Sequence, residues 1–132
     1  MKYLLDTNVC VGFLSGRKPQ LAARLAATPV QDKIVCSIVR TELYYGAYKS
    51  QRQASSLATI NAFLAHLATL PFDDAAAQIC GEIRADLARK GTPIGPYDVQ
   101  IAAIALANNL TLVTHNTREF SRVPNLLLED WE

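Results

Sequence analysis

Four oxygen-bearing side chains stand out by type and position: Asp6, Glu42, Asp98 and Asn116. Asp6 closes a short apolar run, residues 3–5, and two small polar residues, Thr7 and Asn8, follow before the chain turns apolar again. Carboxylates and an amide carbonyl are hard oxygen donors, the set that suits magnesium or manganese, which prefer octahedral oxygen coordination and keep several waters. Other site chemistries find less support. Ser15 and Ser37 have no suitably spaced histidine to activate them as nucleophiles. GTPIG at 91–95 matches neither a P-loop nor a dinucleotide fingerprint. Cys10, Cys36 and Cys80 form no CxxC or Cys/His pair, which excludes zinc and disulfide frameworks and leaves them as small buried hydrophobes.

The elements that must position the four residues follow from periodicity. Residues 3–5, 33–36, 111–114 and 126–128 read as short apolar strands. Ser37 is a candidate N-cap for a helix to about Tyr48. In the segment 51–66, Leu57, Ile60, Leu64 and, just past its end, Leu67 recur at helical spacing. Ala76, Ile79, Cys80, Ile83 and Leu87 mark another helix that stops at Gly91. Pro96 opens a helix through Ile101 and Ile104 to Asn108. Short apolar strands separated by helices predict an α/β fold with a parallel sheet covered on both faces. In open sheets of that kind ligands bind outside the carboxyl ends of the strands. Asp6 follows the first strand and Asn116 follows the 111–114 strand, while Glu42 and Asp98 lie early in helices that would start at the same edge.

Each residue also has an ordinary reading. Asp6 could cap the following helix, and Asp98 could favour the positive end of its helix dipole. Glu42 could be a solvated helix residue and Asn116 a turn former. Convergence is what gives the four a joint meaning.

At 132 residues, half of them hydrophobic and 19% charged, the chain is expected to be one folded domain, 1–132, with a core of its own. No apolar run is long enough to span a membrane, and Asp6 and Asn8 interrupt what would be the apolar region of a signal peptide, which predicts a cytoplasmic protein. A formal net charge of +1 neither supports nor excludes a nucleic-acid partner.

The order of motifs carries a resemblance. LLDTN at 4–8, TELYYGA at 41–47 and IGPYDVQIAA at 94–103 are similar to successive signatures of the PIN-domain ribonucleases, and LVTHNTREFSRVPNL at 112–126 resembles the closing segment of the VapC toxin branch. The resemblance covers essentially the whole chain. It implies a PIN-like three-layer α/β/α fold with a central, mostly parallel sheet of four to five strands. It implies that Asp6, Glu42 and Asp98 are the metal-binding and catalytic acids, with Asn116 positioning a ligand water or phosphate and Thr7 in support. Many PIN domains carry aspartate where this chain has Asn116, a neutral donor that weakens the case for a second metal; Glu119 is near enough in sequence to contribute.

The function so implied is a magnesium-dependent endoribonuclease, with manganese as a possible substitute, serving as the toxin of a VapBC-type pair. Its expected partners are an RNA of the tRNA or rRNA class, a VapB-type antitoxin whose tail lies along the active-site groove, and a second copy in a homodimer. RNA needs basic contacts; candidates are Arg17, Lys18, Lys49, Arg52, Arg118 and Arg122. Tyr44, Tyr45 and Tyr97 could stack on bases or serve as core or interface. His66 and His115 read as structural or exposed. The competing readings are a degenerate PIN domain that only binds RNA or protein, and a metal-dependent DNA nuclease or phosphatase using the same acids.

Overall fold

The computed structural model describes residues 2–132. Its five strands are short apolar runs: β1 Tyr3–Leu5, β2 Lys33–Cys36, β3 Ala68–Leu70, β4 Thr111–Val113 and β5 Leu128–Glu129. They form one sheet in the order β3-β2-β1-β4-β5, and every pairing is parallel. Leu4 of the central strand pairs with Ile34 on one side and Leu112 on the other. Successive residues along the inner strands are buried, Leu4 and Leu5, Ile34 to Cys36, Leu112 and Val113, without the alternation of a half-exposed sheet. That continuous burial is what helices on both faces require.

The chain starts in the middle of the sheet, builds outward through β2 and β3, then crosses back to place β4 on the other side of β1. The order therefore reverses between β1 and β4. Such a switch point opens a crevice at the carboxyl ends of the two strands. Asp6 leaves β1 there and Thr114 leaves β4 there, with the Asp6 N–H donating to the Val113 carbonyl at 3.0 Å.

Among the described residues, seven α-helices cover the sheet: α1 Thr7–Leu14, α2 Pro19–Ala27, α3 Ser37–Lys49, α4 Gln53–Leu64, α5 Asp74–Arg89, α6 Pro96–Ala107 and α7 Thr117–Phe120. Pro19 and Pro96 each begin a helix, where the missing N–H costs nothing. Asp73 caps α5 by accepting from the Ala76 N–H at 2.9 Å, and Gly91, at φ +68°, follows the helix in the left-handed region. Helix α6 is buried nearly all round, at Val99 and at every residue from Ile101 to Ala105, so it is a core element flanked by α3, α5 and β4.

Three local expectations need correction. Ser37 is the first helical residue of α3 and makes no cap; the cap position is Cys36, which bonds through no side chain. Leu67 lies beyond α4, on the way into β3, so its helical spacing is fortuitous. The last strand is Leu128–Glu129 rather than 126–128. The cysteines match their expectation: all three are free and buried, and burial raises each thiol above its ordinary range. Among the described residues, no helix is long and apolar enough to cross a membrane.

Candidate active site

Asp6 is both a helix cap and a site residue, so the two readings of its sequence position coexist. Its Oδ1 accepts from the Thr7 N–H at 2.8 Å at the start of α1. Its Oδ2 accepts from the Thr114 hydroxyl at 2.8 Å. The residue is only 4% exposed. Burial raises its pKa, while the bonds from Thr114 and Thr7 oppose the rise and nearby Glu42 adds to it.

Thr7 connects two acids. While its N–H serves Asp6, its hydroxyl donates to Glu42 Oε1 at 2.9 Å. Glu42 lies in the second turn of α3, the helix that leaves β2. Thr114 makes a matching link on the other side: it donates to Asp6 and accepts from the Asn116 N–H at 3.0 Å. Asn116 in turn donates through Nδ2 to Glu119 Oε2 at 3.2 Å. The hydrogen bonds thus run without a break from Glu42 through Thr7, Asp6, Thr114 and Asn116 to Glu119.

Asp98 arrives by another route. Helix α6 follows α5 rather than a strand, and only residues 108–110 separate its end from β4, so α6 returns toward the start of β4 and presents its first turn at the carboxyl edge. Burial lifts the Asp98 carboxyl to about 6, and Asp6, Glu119 and Glu42 all push in the same direction, as does its hydrogen bond with Glu119. Every charge acting on Asp98 is negative. The structure thus brings Asp6, Glu42, Asp98 and Asn116 to one crevice, with Glu119 as a fifth member.

This donor set fits a divalent cation. Oxygen ligands of like charge, with no lysine or arginine among the groups shifting Asp6 or Asp98, form a site whose electrostatic deficit a cation would correct. The acids are not clenched: among the described residues, the one trio of histidine, cysteine or acidic side chains whose ligand atoms lie within 4.8 Å of one another is His115, Asp130 and Glu132. That trio is a hydrogen-bonded cluster, with the Glu132 N–H donating to Asp130 Oδ1 at 3.1 Å. His115 Nδ1 sits 3.1 Å from Asp130 Oδ2, and Glu132 is also bound by Lys18.

A cavity of about 650 Å³, lined by Thr7, Ile38, Thr41, Glu42, Tyr45 and Tyr97, opens directly beside the acids. The three tyrosines singled out in the sequence now separate. Tyr44 donates to Asn61 Oδ1 at 2.8 Å and accepts from Arg40 at 3.3 Å, which makes it part of the α3–α4 packing. Tyr45 and Tyr97 stand open at 66% and 59% exposure. Several candidate RNA contacts are engaged elsewhere: Lys18 with Glu132, and Arg122 with the Pro93 carbonyl at 3.1 Å. Arg52 lines a second cavity, between α1, α3 and α4, that Glu42 also lines, and His66 lines one that includes Lys33 and Phe63. Arg118 is exposed beside Asn116.

The residue that sequence reasoning missed is Thr114. Its only local signal was a hydroxyl at the end of an apolar strand, two positions before Asn116.

Known proteins resemble the chain over its whole length. The PIN domain family model matches residues 3–126. A Salmonella typhimurium protein named tRNA(fMet)-specific endonuclease VapC is 43% identical, covering 99% of this chain and 98% of its own. The crystal structure of DNA-bound VapBC from Salmonella typhimurium superposes with a TM-score of 0.94 at 41% identity, over 100% of this chain and 99% of that one. VapBC2 from Rickettsia felis, bound to a DNA fragment from its promoter, gives a TM-score of 0.91 at 37% identity with full coverage of both chains.

Proposed function

The chain belongs to the PIN domain family and is an endoribonuclease of the VapC toxin type, from which we propose that it hydrolyses RNA with magnesium held by Asp6, Glu42 and Asp98. The observation that carries the reading is the convergence on Asp98 of three negative neighbours, Asp6, Glu119 and Glu42, with no cation among them. Residues 1–132 act as one PIN domain in this reading.

Asp6 would hold the cation in a fixed orientation, since the Thr7 N–H and the Thr114 hydroxyl lock both of its oxygens. Asp98, whose carboxyl is pushed up to about 6, would hold the cation as the carboxylate. Glu42 uses Oε1 to accept from Thr7, which leaves Oε2 to orient the attacking water and take its proton. Asn116 is held through its Nδ2 by Glu119, which leaves its carbonyl oxygen as a neutral acceptor for a water or a ligand. Bound magnesium supplies Lewis acidity at the phosphate and acidifies water. Carboxylate oxygens are the hard donors that magnesium takes while keeping several of its waters. Manganese would substitute.

A VapB-type antitoxin is the partner that the two VapBC structures support. We extend the reading to a homodimer in the cytoplasm. The substrate would be a structured RNA of the tRNA or rRNA class, the tRNA version being favoured by the name of the Salmonella relative. The test is a matched assay of RNA, single-stranded DNA and a phosphate monoester, each with magnesium and with chelator. Magnesium-dependent cleavage of RNA alone is expected. Equal cleavage of DNA or the monoester, or cleavage that survives chelation, would defeat the proposal.

A further inference from the structure

We propose that Tyr45 and Tyr97 form a stacking subsite that takes one nucleobase of the RNA beside the cleavage centre. The proposal rests on the ribonuclease reading above and adds the two rings that hold the base.

The placement is the first argument. Tyr97 directly precedes Asp98 at the start of α6, and Tyr45 lies three residues after Glu42 on α3, one helical turn along the same face. Both rings therefore ride on the turns that carry the acids. They line a cavity that also contains Thr7 and Glu42, so whatever occupies it touches the acid site.

The lining is the second. Two aromatic rings, the Ile38 side chain and the hydroxyls of Thr7 and Thr41 present apolar faces with a few polar atoms, which matches a flat heteroaromatic ring with a polar edge. Among the described residues neither Tyr45 nor Tyr97 hydrogen-bonds through its hydroxyl, whereas Tyr44, the neighbour of Tyr45, is pinned by Asn61 and Arg40. Large exposed rings without hydroxyl partners, gathered at one cavity, mark a contact surface.

The third argument is charge. The Lys49 ammonium lies 5.6 Å from the centre of the Tyr45 ring, on the last turn of α3. It supplies positive charge beside a stacked base, where the backbone phosphate of the same nucleotide would run. Stacking accepts any base, since each has a π-face.

The test uses the full-length protein and a hairpin RNA whose loop carries 2-aminopurine at each position in turn. Parent protein should cleave the hairpin. Without divalent metal, binding should quench the 2-aminopurine at one loop position. Tyr45→Ala and Tyr97→Ala should each raise KM roughly 5- to 150-fold, the span expected for one lost base stack, with kcat changing less and the quench abolished. Tyr45→Phe and Tyr97→Phe should retain both. Alanine variants with unchanged KM and quenching, in a parent that cleaves the hairpin, would overturn the subsite alone. So would a KM loss that tracks a change of oligomeric state in sedimentation, which would assign the rings to a subunit contact. A parent that cleaves no RNA would overturn the ribonuclease reading and the subsite with it.

Discussion

Asp6 and Thr114 stand 108 positions apart in the chain, and the Thr114 hydroxyl donates to Asp6 Oδ2 at 2.8 Å across the switch point of the sheet. The same hydroxyl accepts from the Asn116 N–H, so one fully buried oxygen ties the exits of β1 and β4 together. Thr114→Val keeps the shape and removes both bonds. It leaves a buried carboxylate oxygen short of a donor, and the metal-free protein should lose about 1–3 kcal/mol in urea unfolding. Because the bond also fixes the orientation of a proposed metal ligand, magnesium affinity should weaken about 10- to 100-fold. Thr114→Ser should restore both. A valine variant with normal stability and magnesium affinity would remove Thr114 from the site.

Asp98 links the site to pH. Its folded carboxyl titrates at about 6 rather than at its ordinary 3.8. Folding therefore takes up a proton between those values, and the stability associated with this group falls as pH rises through about 6. Asp98→Asn removes the titration. The metal-free variant should melt above the metal-free parent at neutral pH, with the difference shrinking as pH falls below about 6 and gone near the ordinary value. Magnesium should raise the parent's melting temperature more than the variant's, and RNA cleavage by the variant should fall to background. Calorimetric scans across pH, with and without magnesium, check the sign. A variant that melts lower than the parent and keeps its magnesium response would make Asp98 a helix-terminus residue.

The sheet and most helices were legible because their signals are local. Buried strands such as residues 33–36 are short unbroken apolar runs, and Pro96 and Gly91 punctuate helices by their own backbone limits. Edge strand β3 carried no such signal, since Ala68 is exposed and Thr69 and Leu70 are only half-buried. Helix α2 is alanine-rich, with only Leu21 and Leu25 buried, too sparse a stripe to stand out. At the site, the acids could be named from their place after strands, but not the reason α6 delivers Asp98, which lies in its return toward β4. Thr114 and the division among three tyrosines were illegible for one reason: each depends on partners remote in the chain, Asp6 for the first, and Asn61 and the cavity between α1, α3 and α6 for the second.

The last residues of the chain are pinned to its first strand. Trp131, 5% exposed, packs edge-on against Tyr3 at 4.9 Å, lies under the Arg24 guanidinium at 4.9 Å and donates from Nε1 to Glu129 at 2.9 Å. Trp131→Ala empties that position and should cost about 3–5 kcal/mol in unfolding free energy. Magnesium affinity should hold, because the link from this cluster to the site is the backbone bond from the Thr114 N–H to the Glu129 carbonyl, which the substitution leaves in place. Denaturation curves and magnesium titrations on the same sample separate the two. A loss of affinity larger than the loss of stability explains would show that the C-terminal clamp also shapes the site.

Asn116 is where the site departs from an all-carboxylate ring, and its geometry gives a substitution two opposing effects. Its Nδ2 now donates to Glu119 Oε2 at 3.2 Å, and Glu119 already presses on Asp98. Asn116→Asp replaces that donor with a carboxylate facing another carboxylate. At ~5 Å and an effective dielectric of ~20, the pair would repel by about 3 kcal/mol before relaxation or proton uptake reduces the figure. The metal-free variant should therefore melt below the parent. Magnesium or manganese should bind it more tightly, because the added charge falls where a cation is attracted by every neighbour. A ligand at 100 times its dissociation constant stabilises the folded state by about 2.7 kcal/mol, so saturating magnesium should recover most of the lost melting temperature. Isothermal titration gives affinity and stoichiometry, and scanning calorimetry gives the two melting temperatures. Unchanged affinity and stoichiometry for both metals would show that residue 116 lies outside the metal's reach, and the role proposed for Asn116 would then fail.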